Sequence, residues 1–300
     1  MPINMPLRRE AAADQQGAAD LVSLVERVRQ RALAARRPAE PIVPAAEVLS
    51  QELPAWPVEV RGMFNEILRS ALFNARNRNQ HRRNLKNELI GTVERATEIR
   101  YTGEELRQTD ETYFLHLLHY ARARPVGSPV EFTPYSFIKA TRLANSKQNS
   151  GHVDRLLESL RRMQATALSI YSKRMARGVS ISMIPVFQWR DEVTGQRLRQ
   201  WRVILAPELV ELFGKNHFTH VHWQQRLRLP TGIATWLHGY FSSHREPYAV
   251  KVSTLQRACG CATDEPRKFR QLVHQALKEL EAVQFLRGEV RGEHVHVTRL

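Results

Sequence analysis

Cysteine is almost missing from these 300 residues: Cys259 and Cys261 are the only two. One glycine separates them, which is too close for an ordinary disulfide, and two thiols are too few for a structural zinc site. Both read as reduced, small core residues. Apolar runs are short. None approaches the roughly 18 residues of a membrane span. Met1-Pro-Ile-Asn-Met-Pro6 lacks the apolar centre of a signal peptide, so a soluble, cytoplasmic chain is expected. Acidic side chains are also scarce, with 30 Asp and Glu against 45 Lys and Arg and a net charge of +15. That balance argues against an acidic-surface protein and for a polyanionic partner, nucleic acid first. No Gly-x4-Gly-Lys-[Ser/Thr] loop is present to hold a nucleoside triphosphate, and the 12 histidines include no His-Glu-x-x-His pattern. An ATP-driven machine is not encoded, and no cofactor is expected.

The length is enough for two compact domains. Residues 1–55 are rich in Ala, Arg, Gln and Pro and read as mostly disordered, punctuated by Pro38, Pro41, Pro44 and Pro54. Within them Leu21, Leu24, Val25 and Val28 have helical spacing; a solvated and a partner-binding role both stay open. From Trp56 the character changes. Met63, Phe64, Ile67, Leu68, Leu72 and Phe73 predict a helix, and the basic run Arg76, Arg78, His81, Arg82, Arg83 and Lys86 follows as a solvated face or a phosphate-contacting arm. Next come a strand over Glu98–Thr102, a helix through Phe114, Leu117 and Leu118, and a short element at Val130. A further helix carries Val153, Leu156, Leu157 and Leu160 inside its apolar arc, and Arg155, Arg161 and Arg162 outside it. Ala167–Tyr171, Ile181–Trp189 and Leu198–Leu205 read as strands, the last two joined by a turn at Asp191-Glu-Val-Thr-Gly195.

The stretch from Cys261 to Val297 carries the strongest pattern. A helix is predicted over Asp264–Glu281, with Phe269, Leu272, Val273, Ala276, Leu277 and Leu280 in one apolar arc. The opposite face holds Arg267, Arg270, Gln271, His274, Gln275 and Lys278, with Lys268 at its edge. Pro266 suits the first turn, and Thr263 or Asp264 is placed to cap it. Two strands follow, Val283–Arg287 and His294–Thr298, around a Gly288–Gly292 turn flanked by Arg287 and Arg291. A helix followed by a basic hairpin is how a winged helix meets duplex DNA, helix in the major groove and wing on the backbone. An amphipathic surface helix beside a hairpin is the plainer alternative. The order of helix, short element, helix and hairpin occurs twice, which favours the first reading. The expected fold is therefore α+β, with tandem winged-helix domains over residues 56–205 and 206–300.

Several stretches then resemble a known family. Ser70-Ala-Leu-Phe-Asn-Ala-Arg-Asn77, Tyr101-Thr-Gly-Glu-Glu-Leu-Arg107, Leu160-Arg-Arg-Met-Gln-Ala-Thr-Ala167 and Tyr240-Phe-Ser-Ser-His-Arg-Glu-Pro-Tyr248 are similar to the TrfA-type plasmid replication initiators. The similarity runs from about Trp56 to the C-terminus, with the motifs in family order. It implies an initiator that binds direct repeats (iterons) in double-stranded origin DNA and helps open adjacent AT-rich DNA. It also implies recruitment of the host replicative helicase, host initiator and sliding clamp, and exchange between homodimer and monomer. The family's C-terminal recognition helix maps onto Asp264–Glu281, so Arg267, Lys268, Arg270, Gln271, His274 and Lys278 are carried over as DNA-facing. Arg155, Arg161, Arg162 and Arg82 follow by a looser mapping. One departure stands out: Glu47-Val-Leu-Ser-Gln51 lacks the aromatic anchor of a clamp-binding peptide, which argues against clamp contact by this route.

On this reading Arg267, Arg270 or Lys278 donates to guanine, Gln271 or Gln275 pairs with adenine, and each good base contact discriminates by about 1–3 kcal/mol. Arg287 and Arg291 neutralise phosphate. Two rivals remain. A nicking enzyme is suggested by His220-Val-His222, His294-Val-His296 and Tyr135-Ser-Phe-Ile-Lys139, because alternating histidines on a strand share a face. It has no third ligand, so no catalytic or metal residue is assigned. A winged-helix transcriptional repressor is the other, since the fold reads DNA whatever the consequence.

Overall fold

Strand pairing in this chain reaches far along the sequence, and it overrides local pattern at the start. The computed structural model describes residues 52–300 apart from 78, 94–96, 126, 144–148, 173–176, 192, 210–216, 262 and 264. The expectations for the segment before residue 52, including its short helix and the degenerate clamp peptide, lie outside the described residues. The helix expected through Met63, Phe64, Ile67, Leu68, Leu72 and Phe73 does not form as one element: Met63 and Phe64 end β1 (Val60–Phe64), and only the single turn α1 (Asn65–Leu68) follows. The reason is tertiary: β1 pairs antiparallel with β11 (Phe218–His222), Gly62 opposite His220. Buried Met63 and Phe64 satisfy a strand as well as a helix.

The remaining elements run in order as β2 (Phe73–Asn74), β3 (Asn84–Val93), β4 (Thr97–Glu104), β5 (Leu106–Arg107) and α2 (Gln108–Ala121). Then come β6 (Val130–Phe132), α3 (Pro134–Thr141), α4 (Asn149–Gln164), β7 (Ala167–Ser172), β8 (Arg177–Ile181), β9 (Val186–Arg190) and β10 (Arg197–Ile204). Beyond β11 lie α5 (Trp223–Arg228), α6 (Ile233–Ser242), β12 (Val250–Lys251), α7 (Val252–Ala258), α8 (Pro266–Ala282), β13 (Leu286–Arg291) and β14 (His294–Arg299). Strand β3 had no sequence signal. Two register shifts, one between Leu85 and Glu88 and one between Leu89 and Gly91, break the period-two alternation that reveals strands. The expected strand Ile181–Trp189 is also broken. Ser182 Oγ donates to Gln164 O at 2.7 Å, Met183 and Ile184 are buried, and Pro185 supplies no N–H, so pairing resumes only at Val186.

The same topology occurs twice. In the first, β10 lies between β6 and β9; in the second, β14 lies between β12 and β13. Each sheet is preceded by a helix, α2 or α6, and encloses a helix pair, α3–α4 or α7–α8. The first copy differs by β7 and β8, which leave it to join β3 and β4 in a four-stranded sheet. Two hydrophobic clusters match. One gathers Phe114, Leu117, Phe137, Leu156, Leu160 and Trp201; the other gathers Trp236, Leu237, Leu255, Phe269, Val273 and Val295. Val221 and Trp223 still belong to the first cluster, and the second is built from Leu229 onward together with Ala75.

Buried polar contacts join the clusters. Arg226 of α5 is 1% exposed and donates to Gln108 Oε1 of α2 at 3.2 Å and to Thr235 O of α6 at 3.3 Å, while its charge faces Glu111 at 3.4 Å. Trp236 Nε1 donates to Ser70 O at 3.2 Å, and Ala75 N to Cys259 O at 2.8 Å. Arg69 Nε donates to Ser243 Oγ at 2.9 Å. Both family-like stretches thus contribute to this junction, 70–77 through Ser70 and Ala75 and 240–248 through Ser243. Their residues hold the two halves together.

Candidate nucleic-acid interface

Helix α8 begins where Pro266 predicts, but its cap differs from expectation. Glu265 is the N-cap and makes no side-chain capping bond; Thr263 O instead accepts from Gln256 Nε2 at 2.6 Å. Phe269, Val273, Leu277 and Leu280 are buried, each contributing about 1.5–3 kcal/mol, and the Ala276 methyl is buried with them. Leu272, placed in the apolar arc by the wheel, is 38% exposed. It shares a stripe with Lys268, Gln275 and Glu279 along a cleft of about 600 Å³, closed on the far side by Ile233 and Cys261.

Beside that stripe runs another at spacing i, i+4, i+7 and i+11: Arg267, Gln271, His274 and Lys278, all exposed. It extends about 16 Å along the helix. With Lys268, these side chains make no hydrogen bond or ion pair among the described residues. Their donors are available to a ligand.

The other flank of α8 faces its own hairpin. Arg270 is half-buried and its guanidinium donates to Gly292 O at the hairpin tip. Arg287 pairs with Glu281 of α8 at 2.7 Å, and Arg291 pairs with Glu289 along β13. Gly288 allows the close approach: a Cβ there would sit 2.7 Å from Leu277 Cδ2. Arg287 and Arg291 remain well exposed, at 72% and 69%, so solvent-screened pairing leaves them competent for phosphate.

The first helix and hairpin, α4 with β9–β10, present a mixed surface. Arg155 donates to Gly151 O at 3.0 Å and lies 2.8 Å from His152 Nδ1, and Arg161 lies over the Trp189 ring at 4.3 Å. Arg162 and Arg82 have a different occupation. Both reach Asp110, which is 0% exposed, at 3.1 and 2.9 Å. Burial pushes the Asp110 carboxyl up, but Arg162, Arg82 and a hydrogen bond from Ser159 overcome this and hold it below the usual carboxylate range. Glu105 is likewise buried, and Arg107 and Arg83 hold it low in the same way. Arg76, Arg82 and Arg83 of the basic run thus serve two buried carboxylates. Sequence charge gave no hint of it, because the acids lie about 25 residues further on. The exposed cations of this half that sequence reading missed are Arg190, Arg199 and Arg202 on the hairpin, with Arg197 paired to Asp154 at 2.8 Å. Arg197 and Arg199 alternate along β10, but the register shift before Arg202 breaks the pattern.

The histidine pairs do not assemble a site. His222 Nδ1 accepts from Gln225 N at 3.4 Å at the start of α5, while the His220 ring packs on Phe218 and Trp56. His294 and His296 lie on β14, His296 opposite Glu289. Among the described residues no group of three His, Cys, Asp or Glu is gathered to hold a metal, and no helix is long and apolar enough to cross a membrane.

Comparison with known proteins now bears on this geometry. Plasmid replication initiator protein TrfA of Escherichia coli is 35% identical over 248 residues, covering 82% of this chain and 62% of that protein. The chain therefore spans about three fifths of the length of the curated relative it matches. Domains 2 and 3 of RctB share the mixed α/β fold at a TM-score of 0.53 and 12% identity, covering 78% of this chain and 98% of that one. Pi initiator protein, solved in complex with iteron DNA, matches at a TM-score of 0.46 and 13% identity over 63% of this chain and 88% of its own, a likeness too remote to argue from. The TrfA protein family profile matches residues 14–299, nearly the whole sequence, and the chain belongs to that family.

Proposed function

We propose that this protein is a plasmid replication initiator that binds direct repeats in origin DNA through two winged-helix modules, promotes opening of adjacent AT-rich DNA and recruits host replication factors. The observation that carries the reading is the unpartnered stripe Arg267, Gln271, His274 and Lys278 on α8, set beside a hairpin with exposed Arg287 and Arg291. The stripe's length suits one major groove, where Arg or Lys reads guanine and Gln reads adenine. The hairpin supplies phosphate contacts. In the other module Arg155, Arg161, Arg199 and Arg202 extend the contact along the duplex, and Arg162 and Arg82, through Asp110, hold α4 and the segment before β3 to α2. The core partition supports a module division near residue 228, with β11 and α5 on the first side. Arrays of bound copies strain neighbouring AT-rich DNA at a cost set by its deformability, with no catalytic residue involved. Host helicase and initiator recruitment, with dimer-to-monomer exchange in the cytoplasm, completes the reading; direct clamp contact has little sequence support.

The test is duplex binding at physiological salt, direct repeats from the cognate origin against scrambled DNA of equal composition, with Arg267→Ala/Lys278→Ala alongside. Repeat-selective binding that the variant loses is the expected result. About five neutralised phosphates give a log–log salt slope near −4.5. Equal binding to both duplexes refutes the proposal. Repression of a single operator without repeats would favour the regulator instead.

A further inference from the structure

Arg270 lies on the polar side of α8, where sequence reading makes it a base-reading residue. Its geometry says otherwise. The guanidinium donates to Gly292 O, on the turn between β13 and β14, where Gly292 has φ +56°. That turn is held from a second helix as well: Val252 N of α7 donates to Glu293 O at 2.8 Å, next to the β12–β14 pairing of Lys251 with His294. The base of the same hairpin is tied to the other end of α8 through Glu281 and Arg287 at 2.7 Å. Arg270 and Glu281 thus fasten both ends of the hairpin to one flank of the helix, while the ligand-facing stripe Arg267, Gln271, His274 and Lys278 runs along another.

We infer that Arg270 is a positioning residue: it fixes the hairpin tip relative to α8 and so places Arg291 on the DNA backbone. The inference rests on duplex DNA being the ligand of this face. A side chain that donates to a backbone carbonyl at the tip has spent its reach, and guanine O6 and N7 then fall to Arg267 and Lys278. Preorganising a loop raises affinity by removing the cost of ordering it on binding, and it does so for every sequence alike.

Three measurements on the full chain test this. Hydrogen exchange at residues 292–294 should quicken in Arg270→Ala without change in melting temperature, and Arg270→Lys should restore protection in part. Affinity of Arg270→Ala for the repeat and the scrambled duplex should fall together by about tenfold, the scale of one charge-assisted hydrogen bond. Arg291→Ala should weaken the wild type more than it weakens Arg270→Ala, on either duplex. Unchanged exchange at the tip, additive effects of the two substitutions, or a loss of discrimination confined to one base pair would each overturn the positioning role. Absence of repeat preference in the wild type would instead refute the DNA-repeat reading, leaving the exchange and additivity results to decide Arg270.

Discussion

Acidification should unfold this protein before most of its carboxylates titrate. His116, His119 and His238 are buried, at 3%, 6% and 0% exposure. Burial, followed by the positive charge of Arg61 beside the first two and of Arg226 beside the third, lowers each to about 3. An unfolded histidine titrates near 6.5. Between those values the unfolded chain takes up protons that the folded chain refuses, so this stability is complete above the unfolded value and is lost as pH falls towards 3. At 1.36 kcal/mol per unit, going from pH 7 to pH 5 removes about 2 kcal/mol per histidine, and about 6 kcal/mol if the three act independently. Any folded value well below 5 gives the same figure, because the unfolded state sets the proton count. Asp110 and Glu105, held low by their arginines, lose their contribution only at more acid pH, while Glu111, raised by burial, works in the opposite sense. Urea unfolding at pH 7 and pH 5 measures the loss. In His238→Gln the pH-dependent part should shrink by about 2 kcal/mol whatever the variant's absolute stability. An equal loss in wild type and variant would refute the account.

Further outcomes follow from single contacts. Asp110→Asn takes the buried carboxylate from Arg82 and Arg162, which keep the more distant Glu104 at 3.7 and 3.9 Å, and should cost about 1–3 kcal/mol in urea unfolding at pH 7. Arg226→Met should cost a similar amount by leaving Glu111 buried and unpaired, and adding Glu111→Leu should recover part of it in a double-mutant cycle; a further loss would contradict the pairing. Gly288→Ala brings a methyl group to 2.7 Å from Leu277 Cδ2 and 3.0 Å from Val297 Cγ1, so the hairpin must lift from α8; thermal melting should register about 1–3 kcal/mol.

The candidate site was legible in part, and the boundary has a physical cause. On α8 the apolar and polar arcs follow from 3.6-residue geometry, which is local, so Arg267, Gln271, His274 and Lys278 were found on the exposed side as the wheel has them. Arg270 has the same residue type and the same face in one dimension. Only the hairpin folding back onto the helix gives it Gly292 O as a partner. Arg82 and Arg162 show the effect more strongly, since both read as surface cations and both reach Asp110, Arg162 through the packing of α2 against α4 and Arg82 through the segment before β3, whose Arg83 O accepts from Glu105 N.

Sequence by itself determined the net charge of +15, the family through its motifs, and the repeated order of helix, short strand, helix and hairpin through periodicity. These depend on composition or on neighbours within a few turns. Tertiary structure decided that residues 60–64 form a strand, because their partner is β11, and that β3 exists despite its register shifts. It also decided that Ser70 of one motif and Ser243 of another, far apart in sequence, both bond across the junction of the two cores. Which carboxylate an arginine neutralises, and which cation is left for a ligand, are set by contacts between residues distant in the chain. Such contacts have no period for a sequence to display.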